Sequence, residues 1–291
     1  MDQLRRSLLA TLAALPALAF AGARAPLPAA RDSFEREVLR LETESGGRLG
    51  VAWLDTGSGT RFHHRGDERF PMCSTFKLLL CSAVLARVDR KEESLARRIT
   101  VRKEDLVPWA PFSETRVGGE ASIEELCAAA MTQSDNVAAN LLLPAIGGPP
   151  GIGAFAKTLG DAHTRLDRTE TELNSAIAGD PRDTTTPLAM LGNLQALLLG
   201  EGLSPASRAR LEGWLRANTT GGSRLRAGLP KDWLAGDKTG SGAHGTTNDV
   251  AILWPPGHKP LLVAAYLTGS KLDSEKRDAV HATLGRALSH S

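Results

Sequence analysis

The sequence is poor in aromatic residues and has no basic run. Phe, Trp and Tyr make up 4% of its 291 residues, and the net charge is only +2. Proteins that bind nucleic acid present a basic surface, often interleaved with aromatic side chains, so we expect no nucleic-acid partner. The seven histidines form no H-E-x-x-H or H-x-H cluster, which argues against a zinc enzyme. The sequence therefore predicts a protein without a metal site.

Cysteine is also scarce, with residues at positions 73, 81 and 127 only. An oxidising compartment would allow one disulfide and leave one thiol over. The spacing of the three residues does not say which pair would form.

An apolar stretch rich in Ala and Leu occupies residues 8–20, near the N-terminus. Arg5 and Arg6 precede it, and an A-x-A sequence follows at 21–23. This order of regions is typical of a secretory signal peptide, whereas the run is too short for a permanent membrane span. We predict that residues 1–23 are cleaved after Ala23, and that Sec or twin-arginine export delivers the protein to a periplasm without a membrane anchor. A buried N-terminal helix is the alternative.

Strands are predicted near both ends of the chain and helices between them. Alternating apolar residues predict a hairpin from 49–54 and 61–64, and short strands at 233–239, 249–254 and 261–268. Helical periodicity marks the remaining elements, at 33–45, from Ser74 to Val88, 123–131, 136–146, 151–159, 187–199, 204–217 and 274–289. The pattern predicts a mixed α/β fold, in which an antiparallel-sheet domain (24–68 and 218–291) is interrupted by an all-helical domain (69–217). A functional site is expected in the cleft between them.

Residues 161–183 follow neither a helix nor a strand period. Nine of these 23 residues are charged, and the segment is too long for an ordinary connection. We predict an ordered, functional loop closed at its base by an ion pair between Arg168 and Asp183. A floppy surface loop is the alternative.

Three short motifs carry chemistry. Ser74 and Lys77 form an S-x-x-K unit at a helix start, which places the amine one turn from the hydroxyl. Taken alone, the unit is equally typical of a serine helix cap followed by a surface lysine. S-D-N at 134–136 lies in a turn between two helices, and K-T-G at 238–240 is predicted to end a strand. Each of these has a purely structural explanation, but their order and spacing together favour an active site.

The three motifs resemble those of the class A serine β-lactamases, within the penicillin-recognising enzymes. A fourth unit, R-T-E-T-E-L-N at 168–174, is similar to the R-x-E-x-x-L-N loop of that family. The resemblance covers essentially the whole mature chain. It implies a monomeric, cofactor-free enzyme that hydrolyses β-lactam antibiotics and so confers resistance.

The resemblance also implies a role for each site residue. Ser74 would be the nucleophile, its proton passing to Lys77 or to Glu170. Ser134 would protonate the departing lactam nitrogen, and the N–H groups of Ser74 and Ser241 would form the oxyanion hole. Glu170 would then activate the deacylating water. Substrate contacts are implied for the remaining members: Asn136, Asn174, Lys238, Thr239, Gly240, Arg224, Thr220 and Trp109, the last as a gate at the cleft mouth.

Several positions depart from the pattern or complete it. Many class A members carry an arginine where this chain has Thr247, and we expect Arg224 to supply that cation instead; a surface arginine is the alternative. The resemblance implies a disulfide between Cys81 and Cys127, which leaves Cys73 unpaired because Gly242 occupies its partner position in some relatives. It also implies a cis peptide after Glu170, at Thr171.

Two other functions remain open at this point. A penicillin-binding D,D-peptidase shares the three short motifs but lacks the loop that carries Glu170. A β-lactam sensor would be expected to adjoin a membrane span or a signalling domain, and the sequence shows neither pattern.

Overall fold

Strands from the two ends of the chain form a single antiparallel sheet. The computed structural model describes residues 28–290, with side chains from residue 32 onward. The predicted signal peptide therefore lies outside the described residues. In chain order the elements are α1 (Pro28–Ser45), β1 (Arg48–Asp55), β2 (Arg61–His64), β3 (Phe70–Pro71), α2 (Phe76–Asp89), β4 (Arg98–Thr100), β5 (Glu120–Ser122), α3 (Ile123–Thr132), α4 (Asn136–Leu142), α5 (Pro150–Thr158), β6 (Thr184–Thr185), α6 (Pro187–Leu198), α7 (Pro205–Arg216), α8 (Leu225–Gly228), β7 (Leu234–Gly242), β8 (Thr246–Trp254), β9 (Leu261–Thr268) and α9 (Ser274–Leu288).

The main sheet has the strand order β2-β1-β9-β8-β7. β1 pairs along its whole length with β9, in the register Ala52↔Ala264, and β8 pairs with β7, in the register Thr239↔Asp249. The first strand of the sequence thus lies beside the last. The mixed α/β class with an antiparallel sheet, predicted from the sequence, is confirmed.

Apolar side chains fill both faces of this sheet. One face packs against α1 and α9, through residues such as Phe34 and Leu284. The other face packs against the helices of the middle of the chain, where α2 is buried almost all round. A helix that is apolar on every side belongs in a core, which explains why α2 can hold the residues before it rigidly. The division into domains at 69 and 217 stays a prediction.

Local signals explain where the helices begin. Ser122 and Glu125 form a capping box at the start of α3, with hydrogen bonds of 3.1 and 2.8 Å to each other's backbone N–H groups. Asp135 caps α4 through Ala138 N at 2.8 Å. One boundary was wrong: 238–240 does not end its strand, because β7 continues to Gly242 by pairing with 246–248.

The predicted disulfide between Cys81 and Cys127 is not formed. Both residues are free and buried, on the facing helices α2 and α3. The thiol of Cys81 instead donates to the backbone carbonyl of Cys127, with Sγ and O 3.7 Å apart. Burial raises the pKa of the Cys127 thiol well above its usual value, so the neutral thiol is the stable form there.

Within residues 28–290, no single helix is long and apolar enough to cross a membrane, although the bent pair 136–146 and 150–158 passes the same test of length and composition. The described part of the chain also contains no group of three or more His, Cys, Asp and Glu side chains suited to a metal ion.

Candidate active site

Ser74 lies in a short 3-10 turn, Cys73–Thr75, directly before α2. Its Oγ accepts a hydrogen bond from Lys77 Nζ at 3.0 Å, one turn along. Lys77 is completely buried and also donates to Ser134 O at 2.9 Å and to Asn136 Oδ1 at 2.6 Å. The structure therefore excludes the alternative of a helix cap with a surface lysine.

Lys238 approaches the same group from the sheet. Its Nζ donates to Ser134 Oγ at 3.0 Å and to Thr239 O at 2.9 Å. Burial, and then the nearby charge of Lys77, lower the pKa of Lys238 to about 7. Two lysines thus converge on the hydroxyl of Ser134, since Lys77 Nζ lies 3.4 Å from it.

The 161–183 loop brings Glu170 against Ser74. Ser74 Oγ donates to Glu170 Oε1 at 3.2 Å, and Lys77 Nζ lies 2.9 Å from the same oxygen. The second carboxylate oxygen, Oε2, accepts from Asn174 Nδ2 at 2.5 Å. The peptide between Glu170 and Thr171 is cis, as the resemblance implied.

The base of that loop is closed as predicted. Arg168 Nε donates to Asp183 Oδ2 at 2.6 Å, and the other oxygen of Asp183 accepts from two backbone N–H groups, Asp167 at 2.7 Å and Arg168 at 3.0 Å. An ordered loop, and not a floppy one, carries Glu170.

Sequence reasoning missed Asn140. Its side chain in α4 donates to Glu170 O at 2.8 Å and accepts from Glu170 N at 2.9 Å, and so fixes the backbone that presents the carboxylate. The available signal was its position four residues after Asn136, which places both amides on one face of a helix.

Sequence reasoning also missed the structural role of Asp135, which holds two segments of the site together. Its buried carboxylate accepts from Ser113 Oγ at 2.8 Å, from Ser113 N at 2.9 Å and from Phe112 N at 3.0 Å, besides capping α4. It thereby ties the segment that carries Trp109 to the turn that carries Ser134.

Strand β7 runs very close to the turn that holds Ser74. A Cβ atom placed on Gly240 would lie 2.7 Å from Met72 O and 3.2 Å from Ser74 N. Glycine is therefore required at 240 for this approach. Gly242 is also crowded, since its Cβ would meet Cys73 Sγ at 2.6 Å.

Arg224 is held behind the outer end of β7. It is 8% exposed, and its Nη1 donates to Gly240 O at 3.0 Å and to Asn248 O at 2.7 Å. Its Nη2 donates to Ser241 Oγ at 2.7 Å, and Asp278 Oδ1 accepts from its Nε at 2.8 Å. Arg224 is thus not a free surface residue. Thr247 faces elsewhere, with its hydroxyl bound by Arg277 Nε at 3.0 Å.

Trp109 stands at the mouth of the site. Its indole is 64% exposed, with Nε1 donating to Gln133 O at 2.9 Å, and the residue has a positive φ of 66°. Asn136, beneath it, uses both ends of its amide, donating to Pro108 O at 2.8 Å and accepting from Lys77.

These side chains surround a cleft of about 360 Å³, a volume suited to a small molecule. Predicted residues make up its wall: Ser74, Trp109, Ser134, Asn136, Asn174, Thr220, Arg224, Thr239, Gly240 and Ser241. Lys77, Glu170 and Lys238 lie buried behind that wall. The arrangement places a hydroxyl nucleophile between an amine and a carboxylate, with cations at the far end of the cleft.

Comparison with known proteins agrees with this geometry. A sequence model of the beta-lactamase enzyme family matches residues 33–290. The chain is 46% identical over 289 residues to Beta-lactamase Toho-1 of Escherichia coli, covering 99% of this chain and 98% of that protein. It is 45% identical over 284 residues to Beta-lactamase OXY-1 of Klebsiella oxytoca, covering 98% and 97%.

Solved structures give the same result. An ancestral (GNCA) class A beta-lactamase superposes with a TM-score of 0.87 and 60% identity, covering 88% of this chain and 98% of that chain. A beta-lactamase from Xanthomonas campestris superposes with a TM-score of 0.88 and 50% identity, covering 89% and 97%.

Proposed function

The chain belongs to the beta-lactamase enzyme family, as a class A member, and on that premise we propose that it hydrolyses the lactam amide of penicillins and cephalosporins through an acyl-enzyme on Ser74. One observation carries the mechanism. Ser74 Oγ lies 3.0 Å from Lys77 Nζ and 3.2 Å from Glu170 Oε1, so the nucleophile and two proton carriers are in hydrogen-bond contact.

The contacts support Glu170 as the acceptor of the Ser74 proton during acylation. Lys77 Nζ donates to Ser74 Oγ, and an ammonium has no lone pair to accept with. It could accept only after losing its own proton, for which Glu170, 2.9 Å away, is the carboxylate in reach. In that second route Lys77 holds the Ser74 proton and Glu170 holds that of Lys77, so by either route Glu170 gains a proton while the Oγ–C bond forms.

The lactam C–N bond then breaks, and its nitrogen needs a proton. Ser134 is placed to give one, since its hydroxyl lies 3.0 Å from Lys238 Nζ and 3.4 Å from Lys77 Nζ. Lys77 can reprotonate Ser134 and regain a proton from Glu170, 2.9 Å away, which leaves Glu170 as a carboxylate before deacylation. The negative oxygen of the tetrahedral intermediate would be stabilised by N–H groups of Ser74 and Ser241, which the close approach of β7 at Gly240 supports.

Deacylation separates this enzyme from a penicillin-binding peptidase. Glu170 is held by Asn174 and Asn140, and Asn174 Oδ1 is a buried oxygen without a hydrogen-bond partner. A water bound between that oxygen and the Glu170 carboxylate would attack the ester carbonyl as Glu170 takes its proton. The ester bond to Ser74 then breaks, and the hydroxyl is restored.

Replacing the base tests the proposal. Glu170→Ala should still become acylated, at a reduced rate, because Lys77 can lose its proton to solvent instead and then accept that of Ser74. Its adduct with a penicillin should persist, since the base for deacylation is gone. Mass spectrometry of the intact protein reports the added mass, and Ser74→Ala is the control that gains none. Normal turnover by Glu170→Ala would contradict the role of Glu170. A wild-type adduct that lasts for hours would favour the penicillin-binding peptidase instead.

The same family membership supports a proposal about where the enzyme acts. We propose that it is exported, that the periplasm is its destination, and that it acts there as a monomer on β-lactams as they enter the cell.

A further inference from the structure

A chain of side-chain hydrogen bonds connects the cleft to a buried carboxylate. Asp237 is fully buried in β7, and its Oδ2 accepts from Asn218 Nδ2 at 2.7 Å. Asn218 Oδ1 accepts from Thr220 Oγ1 at 2.8 Å, and Thr220 Oγ1 is bonded in turn to Thr239 Oγ1. Asp237 and Thr239 are two residues apart on one strand and so face the same side of the sheet.

The direction of each bond in this chain is determined. The backbone N–H of Thr220 donates to Asn218 Oδ1 at 3.1 Å, and an N–H group cannot accept. The amide of Asn218 therefore has its oxygen toward Thr220 and its NH₂ toward Asp237. The oxygen has no proton, so the Thr220 hydroxyl must donate to it.

A hydroxyl has one proton and two lone pairs. Thr220 has given its proton to Asn218, so its bond with Thr239 is one in which Thr239 donates. The proton of Thr239 is then committed to Thr220, and only the lone pairs of Thr239 are available to a ligand. Ser241 has the opposite polarity: it accepts from Arg224 Nη2 at 2.7 Å, which leaves its own proton available to the cleft.

We propose that Thr220 determines this polarity: it holds Thr239 as a hydrogen-bond acceptor in the subsite for the substrate carboxylate and so weakens binding of that carboxylate. The inference rests on the proposed function, because it requires a β-lactam carboxylate at this end of the cleft. Thr220 is thus a positioning residue that acts through Thr239. Ser241 and the Arg224 guanidinium are the donors to the carboxylate.

Binding a carboxylate at Thr239 requires both hydroxyls to reverse. The Thr220 proton must leave Asn218 Oδ1, whose other donor is the longer bond from Thr220 N. One net hydrogen bond is lost in that reversal, which corresponds to roughly a fivefold loss of affinity. An acidic ligand is penalised in this way, whereas a neutral one that donates to Thr239 is not.

Removing the Thr220 hydroxyl tests the inference. Thr220→Val keeps the shape of the side chain and leaves the Thr239 hydroxyl free to turn toward the cleft. We expect KM for a penicillin to fall about fivefold, with kcat little changed, while KM for the carboxamide of the same penicillin, whose N–H can donate to Thr239, does not fall. Thr220→Ala, which needs no new apolar contact, should show the same change. Thr220→Ser keeps a hydroxyl and should keep the wild-type ratio of the two KM values.

The two KM values distinguish a failure of the Thr220 proposal from a failure of the proposed function. If wild type turns over the penicillin but both Thr220→Val and Thr220→Ala leave the ratio of KM values unchanged or raise KM for the acid, the role of Thr220 is overturned and the proposed function stands. If wild type neither hydrolyses the penicillin nor gains its mass on Ser74, both are overturned. A merely structural role of Thr220 would move KM for the acid and for the carboxamide together.

Discussion

Lys238 is a buried ammonium group whose two hydrogen-bond acceptors, Ser134 Oγ and Thr239 O, are both uncharged. Because burial and the charge of Lys77 lower its pKa to about 7, its charge changes within the range where bacteria grow. Below that pH the lysine is cationic and attracts a substrate carboxylate; above it the attraction is lost.

We therefore expect kcat/KM for a penicillin to fall as the pH rises through about 7, approaching about a tenfold loss per pH unit. The free enzyme determines this profile, since kcat/KM reports its ionisations. Lys238→Arg is the matched control: a guanidinium stays charged, so its profile should lack the fall near neutrality although its rate is lower. A wild-type profile that is flat to pH 9 would contradict the assignment.

The 161–183 loop is held closed at its base by buried hydrogen bonds. Asp183 is almost fully buried and binds Arg168 and two backbone N–H groups, so one carboxylate holds the loop closed. The exposed pair Arg182–Asp180 lies next to it, with 47% of the arginine side chain accessible. The two ion pairs differ in burial, and the loop should depend on them unequally.

Asp183→Ala should lower the free energy of unfolding by about 3 kcal/mol, because it leaves the Arg168 guanidinium and two N–H groups without an acceptor. Deacylation should slow as well, since Glu170 lies in the same loop. Arg182→Ala should cost much less than Asp183→Ala, because solvent screens an exposed pair. Urea denaturation and the decay of the penicillin adduct measure the two effects. Equal losses in the two variants would show that burial does not govern this loop.

Part of this loop could be predicted from the sequence. The parts of the fold and site that could not be predicted have physical explanations. Arg168 and Asp183 stand out because a charged, aperiodic segment must be either solvated or clasped, whereas Glu170 was identified from the resemblance to the R-x-E-x-x-L-N loop. Asn140 was missed because its spacing from Asn136 shows a shared helix face but not the contact with Glu170, 30 residues away. The K-T-G strand was cut short because two glycines weaken the β signal, whereas pairing with β8 extends the strand to Gly242.

Other expectations depend on the environment of a side chain and not on its spacing. The resemblance implied a disulfide between Cys81 and Cys127, yet the thiol of Cys81 donates to a backbone carbonyl. The direction of the hydrogen bond from Thr239 needs the amide of Asn218, which only the folded chain places there.

At the scale of the whole molecule, His281 links stability to pH. It is fully buried in α9, with Nε2 2.9 Å from Thr247 O. Burial, and then the charge of Arg224, lower its pKa to about 4, whereas the unfolded chain has an ordinary histidine near 6.5. Between these values the unfolded state binds the extra proton, so this contribution to stability is complete above pH 6.5 and is lost as the pH falls toward 4.

His281→Gln should remove that dependence while keeping a donor for the Thr247 carbonyl. The difference in unfolding free energy between pH 7 and pH 4.5 should be smaller than in wild type by about 2 kcal/mol. Chemical denaturation at both pH values measures it, and His63→Gln, at an exposed position of β2, should keep the wild-type difference. An unchanged difference in His281→Gln would contradict the assignment.

The strand order also determines how late in synthesis the main sheet can form. β7 reaches β1 only through β8 and β9, so the sheet cannot close until the residues of β9 are available. During synthesis from the N-terminus, a growing chain has the nucleophile long before it has the partner of its first strand. Pairing across more than 200 residues is also slow, because a large loop must be ordered first. The nascent polypeptide thus stays without its complete sheet, and the motifs of the cleft without their common frame, until β9 has been made.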